Sequence, residues 1–398
     1  MSSFDAIRHY TDAEVPGVLT RLMDDPGFIG AMATIRYPRL YPLLRPVIAW
    51  GVRRRLKELL KDIRTVADVQ LEVGRLLASV ERKWTEGVTL GGLENLPDAP
   101  CLFIANHRDI VLDSAFLNWQ LHLAGRATCL SAVGDNLVTT PWVGDLMRLN
   151  KSFVVPRSVT SPKAAFKAFS ETSAFIRSAM DGGQSVWIAQ RQGRAKDGND
   201  RTDAAVLKML TIAWRQEISG FHDYLDRVHV LPVSISYELD PCDLMKAHEL
   251  AMRDRDGAYT KASDEDLRSI ALGILGYKGR VHLQLGQRLT GAFTDADAAA
   301  QALDVAIAAG TRVYPTHRLA AEKCGDSPGS VPDEQQPAIQ RVMDAFAARE
   351  QAAPASELSY LYLQYANVWR NAATAQTMSG GSSSAASCSR NSSTWADQ

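Results

Sequence analysis

Cysteine is scarce in this sequence and shows no arrangement. Five occur in 398 residues, at Cys101, Cys129, Cys242, Cys324 and Cys388, odd in number and without C-x-x-C spacing. That pattern excludes a disulfide framework and a zinc cluster, and it predicts a reducing compartment and no metal. No uninterrupted run of about 18 apolar residues occurs, so no membrane-spanning helix is expected. The first residues carry no apolar secretory core. Neither sign of charge dominates: the formal net charge is -1, with 22% charged and 46% apolar residues. Whole-chain charge therefore points to no nucleic-acid partner, and the composition is that of a globular protein. A Walker loop, a dinucleotide fingerprint and H-E-x-x-H are all missing. Gly325-Asp326-Ser327-Pro328-Gly329 matches G-x-S-x-G, but its flanks are charged and proline-rich. A nucleophile elbow needs a strand before the serine and a helix after it.

Charge is uneven along the chain. Between Arg36 and Arg64 nine Arg/Lys stand against Glu58 and Asp62. Aromatic and aliphatic residues interleave with them, as in Tyr37, Leu40, Tyr41, Leu43, Leu44, Val47 and Trp50. This suits a segment in a membrane interface, apolar groups among acyl chains and arginines at anionic headgroups. The competing reading is an arm docked on the protein's own core with a solvated basic face.

Residues 1–54 read as an irregular, proline-punctuated arm, and apolar spacings of three and four predict one helix over 55–84. Beyond Gly91-Gly92 and Pro97, strands and helices alternate. Strands are expected at 101–105, 128–133, 152–155, 185–190, 229–237 and 280–286. Helices are expected at 112–124, 142–149, 162–180, 203–219, 264–275 and 293–309. A linker falls at 322–337, with further helices at 336–349 and 355–372. Such alternation predicts an α/β fold: a mixed, largely parallel sheet flanked by helices, with an N-terminal helical or interfacial arm and a C-terminal helical extension. The expected divisions are 1–87 (arm and helix), 88–290 (α/β domain), 291–377 (helical extension) and 378–398 (a disordered tail rich in Ser, Ala and Gly).

Four fragments carry chemistry. The first, Asn106-His107-Arg108-Asp109-Ile110-Val111-Leu112-Asp113, follows a short buried strand. A histidine at a strand-to-helix junction with a carboxylate behind it is a general-base unit, the carboxylate setting the imidazole tautomer. No serine or cysteine accompanies it, so the substrate's own hydroxyl is the expected nucleophile. The second fragment is a strand ending in Pro156-Arg157, and the third is Ala189-Gln190-Arg191-Gln192-Gly193-Arg194-Ala195-Lys196. The fourth is Val230-Leu231-Pro232-Val233. At the carboxyl ends of neighbouring strands, Arg157, Arg191, Arg194 and Lys196 would bring cations beside His107. The guanidinium fork suits a phosphate. The other histidines lie in no such constellation and read as structural or surface residues.

In this order the fragments resemble the four blocks of the glycerolipid acyltransferase family, which includes lysophosphatidic-acid and glycerol-3-phosphate acyltransferases. The blocks are N-H-x-x-x-x-D, a strand ending in a phosphate-binding arginine, an F-P-E-G-T-R-S-like run and a V-P-V-like run. The resemblance covers roughly residues 88–290 and implies transfer of a fatty acyl group from a thioester to a hydroxyl. It makes His107 the base, Asp113 its partner and Arg157 the phosphate ligand. Gln192 and Gly193 take the E-G positions, Arg194 flanks the third block's arginine, and Pro232 shapes the acyl pocket. No cofactor is implied. The expected partners are a fatty acyl thioester (acyl-CoA or acyl carrier protein), a phosphorylated glycerolipid acceptor and a membrane surface, with the chain peripheral on the cytoplasmic side. Two departures stand out. Five residues separate His107 from Asp113 where the family has four. One extra helical residue turns a side chain by about 100°, which leaves Asp109 as an alternative partner. Gln192 replaces a glutamate. The rival functions are acylation of another lipid hydroxyl and a catalytically weakened lipid-binding protein.

Overall fold

The runs Leu102–Ala105 and Val186–Ala189 are apolar throughout, which is the pattern of a sheet covered on both faces. The computed structural model describes residues 4–37, 39–157, 161–329 and 337–387. It contains seven strands: β1 (Val88–Gly91), β2 (Leu102–Ala105), β3 (Leu130–Gly134), β4 (Ser152–Val155), β5 (Val186–Ala189), β6 (Val230–Tyr237) and β7 (Val281–Leu285). Every residue of β2, β4, β5 and β6 is buried. The strands form one sheet in the order β1-β7-β6-β2-β5-β3-β4. The pairs β6/β2, β2/β5, β5/β3 and β3/β4 are parallel, β7 runs antiparallel to β6, and β1 is parallel to β7. The fold is therefore the expected mixed, largely parallel α/β sheet flanked by helices.

Side chains alternate between the two faces, as the strand period of two requires. Leu102, Ile104, Val186, Ile188 and Val230 point into one core, shared with helices Pro162–Asp181, Ala204–Thr211, Phe221–Val228 and Ala296–Ala309. Phe103, Ala105, Trp187, Ala189, Leu231 and Val233 point into the other, shared with helices Val66–Trp84 and Leu112–Leu123. Truncating one anchor, as in Phe103→Ala, is expected to cost about 3–5 kcal/mol.

The helix starting at Pro162 shows how local signals set boundaries. Ser161 Oγ accepts from the Ala164 amide at 3.3 Å, proline fills the first position, and Gly182-Gly183 follows the last, Gly183 at φ +83°.

Several elements differ from expectation. The arm is helical, with helices Val15–Asp24, Pro26–Arg36 and Arg45–Leu60. Pro16, Pro26 and Pro46 sit in their first turns, where a missing N–H costs nothing, so they start helices and do not break the segment. The single helix expected over 55–84 is two. Thr65 and Asp68 form a capping box that starts a new helix at Val66. β1 went unanticipated, being four residues at the sheet edge held by pairing with β7. The helix expected over 203–219 ends at Thr211, and a separate helix runs Phe221–Val228. Two further helices, Asp243–Asp256 and Pro315–Lys323, fall where none was expected. The tail expected to be disordered from 378 is helical to Ser387, as the last helix, Leu358–Ser387, propagates past its docked part. Cys388 and the rest of that tail lie outside the described residues.

Candidate active site

Strand β2 delivers the histidine. Just past its end, the Asn106 amide extends the ladder with a side chain: Nδ2 donates to the Ile235 carbonyl at 3.0 Å and Oδ1 accepts from the Ile235 amide at 2.7 Å. This pins the backbone immediately before His107. Asp109 then turns the chain, its Oδ1 accepting from the amides of Val111 (2.9 Å) and Leu112 (2.8 Å). The helix begins at Leu112, and Asp113 is its second residue.

His107 Nδ1 lies 2.8 Å from Asp113 Oδ2. The same oxygen accepts from the amides of Arg108 (2.7 Å) and Asp109 (3.0 Å). A carboxylate oxygen holding two N–H groups is an acceptor, so Nδ1 carries the proton and Nε2 is left as the basic nitrogen. The imidazole stands edge-on to Trp187, with ring centroids 5.8 Å apart. The extra residue in the spacing is absorbed by the Asp109 turn, and Asp113, not Asp109, meets the histidine. Asp109 is buried against Gly273, where an added Cβ would come within 2.1 Å of its Oδ2. Burial, then the neighbouring Asp113 charge, pushes the Asp109 carboxyl up.

His107 lines a cavity of about 550 Å³ at the carboxyl ends of β2, β3, β4 and β5. Convergence there follows from the parallel strands. Arg157 comes from the end of β4. Its amide donates to Asp135 Oδ2 at 3.0 Å, and its guanidinium lies across Gly134, where a Cβ would meet Nε at 2.7 Å. Any larger residue at 134 would displace it. Burial draws the Arg157 guanidinium below its ordinary value, with Asp135 opposing. Arg191, Gln192, Gly193 and Arg194 come from the loop after β5 and also line the cavity. Gln192 is exposed on the rim. Gly193 has φ +73° with open space around it, so its backbone angle, not a close approach, calls for glycine.

The cations of this cavity divide into two groups. Lys196 is ion-paired with Glu249, which also holds Arg253 at 2.6 Å, and Lys261 is held by Asp266 at 2.7 Å. Burial pushes the Lys196 ammonium down to about 8. The guanidinium groups of Arg157 and Arg191 have no hydrogen-bond partner among the described residues. Arg194 has one long contact, to Ser269 Oγ at 3.5 Å, and its other terminal nitrogen is buried without a partner. Three arginines thus line one space, and among the described residues none is in an ion pair, although Asp135 acts on Arg157 and Asp109 and Asp266 act on Arg194 from nearby.

Among the residues singled out from sequence, the structure brings His107, Asp113, Arg157, Gln192, Gly193 and Arg194 together. Pro232 is not brought to the cavity. It is buried within β6 beside Ile104 of β2, its ring against Gly286 and its carbonyl accepting from the Gly286 amide at 2.8 Å. Sequence reasoning missed Asn106, whose position directly before the histidine was the available signal. It also missed Lys246, which touches the histidine turn from the unanticipated charged helix. Among the described residues no cluster of three or more His, Cys, Asp or Glu side chains is arranged to hold a metal.

Residues 87–236 match the family model described as Acyltransferase, a span from just before β1 to the penultimate residue of β6 that contains His107, Asp113 and the three arginines. Among solved structures, the chain is similar to the 1-acyl-sn-glycerophosphate (LPA) acyltransferase PlsC from Thermotoga maritima. The identity is 17%, the match covers 61% of this chain and 78% of that one, and the TM-score is 0.36. No curated protein matches the sequence. The His–Asp unit, the arginines and six of the seven strands fall within or almost within the matched span, so residues 87–236 form an acyltransferase domain.

Proposed function

We propose that this acyltransferase moves a fatty acyl group from a thioester to the hydroxyl of a phosphorylated glycerolipid of the lysophosphatidic-acid type. The observation that carries the reading is the set of three arginines, Arg157, Arg191 and Arg194, around the cavity that His107 lines. An anion is what completes such a set, and a phosphate takes the guanidinium forks best. His107 Nε2 accepts the acceptor's hydroxyl proton while the oxygen attacks the thioester carbonyl. The C–O bond forms, the C–S bond breaks, and the proton passes from the imidazolium to the departing thiolate. Asp113 holds the tautomer and balances the imidazolium. The donor is acyl-CoA or acyl carrier protein.

A lipid acceptor has to be met at its surface. Leu43, Val47 and Trp50 are 78%, 66% and 63% exposed around the start of helix Arg45–Leu60, among Arg36, Arg39, Arg45, Arg53 and Arg54. Apolar groups standing proud among arginines support docking on an anionic membrane. Among the described residues no helix is long and apolar enough to cross one.

The test is thiol release from a long-chain acyl thioester by wild-type and His107→Ala protein, with and without lysophosphatidic acid in liposomes. Release that depends on the acceptor and disappears in the variant is expected. Release that persists in the variant removes His107 as base, and absence of acceptor-dependent release by wild type removes the acceptor.

A further inference from the structure

The peptide group joining Arg108 to Asp109 is held at both ends by charge. Its N–H, on Asp109, donates to Asp113 Oδ2 at 3.0 Å. Its carbonyl, on Arg108, accepts from the ammonium of Lys246 at 2.9 Å. In a trans peptide these two atoms point in opposite directions, so cation, peptide and carboxylate lie in sequence with the peptide dipole aligned between them. A hydrogen bond at one end of a peptide strengthens the one at the other, and low surrounding polarity enlarges the effect.

Lys246 is built into this place. Its side chain is 2% exposed, and it is ion-paired with Asp240. Although burial works against it, the ammonium and the Cys242 amide hold the Asp240 carboxyl below its ordinary value. The lysine comes from helix Asp243–Asp256, whose buried residues are the charged Asp243, Lys246 and Glu249 with Ala247 among them. Burying an ammonium is costly unless it is paired and bonded, and here one of its bonds goes to the backbone of the histidine turn.

We propose that Lys246 is a positioning residue for the His107–Asp113 pair, acting through the single peptide between residues 108 and 109. Its charge polarises that peptide, the Asp109 N–H holds Asp113 Oδ2 more firmly, and the carboxylate stays aimed at His107 Nδ1. The inference rests on the reading of His107 as the base.

The groups that face this unit bear on its pH response. They are Trp187 on β5, the buried Tyr237 hydroxyl on β6, Asp109 and Arg108 in the turn, and Asp240 beside the lysine. Arg194 and Lys278 act on Asp109 from farther away, and Asp200 is paired with Arg108.

Lys246→Met alone would strand Asp240, so the test is Lys246→Met with Asp240→Asn, assayed for kcat, KM and the pH dependence of kcat. Loss of a charge-assisted hydrogen bond in the reacting arrangement predicts a kcat lower by about tenfold with KM within about twofold. Asp113, less firmly held by its amide, favours the imidazolium more. The acid limb of the profile is therefore expected to move to higher pH by about half a unit. An unchanged kcat overturns the inference. So does a lower kcat with an unmoved acid limb, which is the signature of simple loosening. If that pair does not fold, Lys246→Met with Asp240→Leu fills the same space and is read the same way. His107→Ala is assayed alongside. If it remains active the base assignment itself fails, whereas an inactive His107→Ala beside a wild-type double variant overturns only the role of Lys246.

Discussion

Asp113 stands six residues after His107 and still meets it at 2.8 Å, on the oxygen that also holds two backbone amides. The meeting depends on Asp109, which caps the incoming helix and uses up the extra residue in a turn. A longer spacing than the family's is thus accommodated without moving the carboxylate away from the imidazole. The pair is held by hydrogen bonds to the chain, so its members should separate cleanly in mutational tests.

His107→Ala is expected to lower kcat by about 10²–10⁴-fold, the usual contribution of a general base, with little loss of stability. Asp113→Ala should add a folding cost of about 2–4 kcal/mol, because it leaves the Arg108 and Asp109 amides buried and unpaired. Thiol-release kinetics and urea unfolding of both variants check this. Equal stability losses in the two would contradict the shared-oxygen geometry.

Arg157→Ala is expected to raise KM for a phosphorylated acceptor by about tenfold or more, the worth of a charge-assisted hydrogen bond. Turnover of a dephosphorylated acceptor should change little. Steady-state kinetics with the two acceptors decides, and an equal effect on both would mean that Arg157 does not hold the phosphate.

Serine at Leu43, Val47 and Trp50 together should weaken binding to vesicles of phosphatidylcholine and phosphatidylserine by at least about tenfold, since each removes apolar surface from the interface. Co-sedimentation measures it. Wild-type binding that ignores both the substitutions and the anionic lipid would rule out this arm as the docking surface.

His317 provides a pH test of stability. Its Nδ1 accepts from the Tyr314 amide and its Nε2 donates to the Tyr237 carbonyl, both at 3.1 Å, so it is buried in the neutral form. Burial pushes it from 6.5 down to about 3. Between those values the unfolded chain binds the extra proton, so this residue's contribution is present above pH 6.5 and is lost as pH falls. The slope approaches about 1.4 kcal/mol per pH unit. Unfolding free energies from pH 7 to pH 5 should fall less steeply for His317→Gln, which can keep both hydrogen bonds without titrating. Parallel slopes would show that His317 is not held neutral.

Much of this protein was determined locally by its sequence. Runs such as Leu102–Ala105 and Val186–Ala189 specify buried strands because nothing polar interrupts them. Ser161-Pro162 and Gly182-Gly183 mark both ends of a helix by chemistry that acts within a turn. His107, Asp113, Arg157 and Arg194 could be singled out because they fall in the segments that follow strand ends, in a recognisable order. What required the tertiary structure is what depends on distant partners. β1 exists through pairing with β7, some 190 residues away, and carries too little apolar sequence to announce itself. The choice between Asp109 and Asp113 turned on a cap geometry that spacing alone leaves open. Helix Asp243–Asp256 buries charges where an amphipathic pattern would bury leucines, so periodicity is blind to it. Lys246 reaches the histidine turn across 138 residues of chain, and only the folded sheet brings the two together. Apolar burial leaves a periodic trace in sequence, whereas a buried charge is tolerated only beside its partners, and those partners are assembled by the fold.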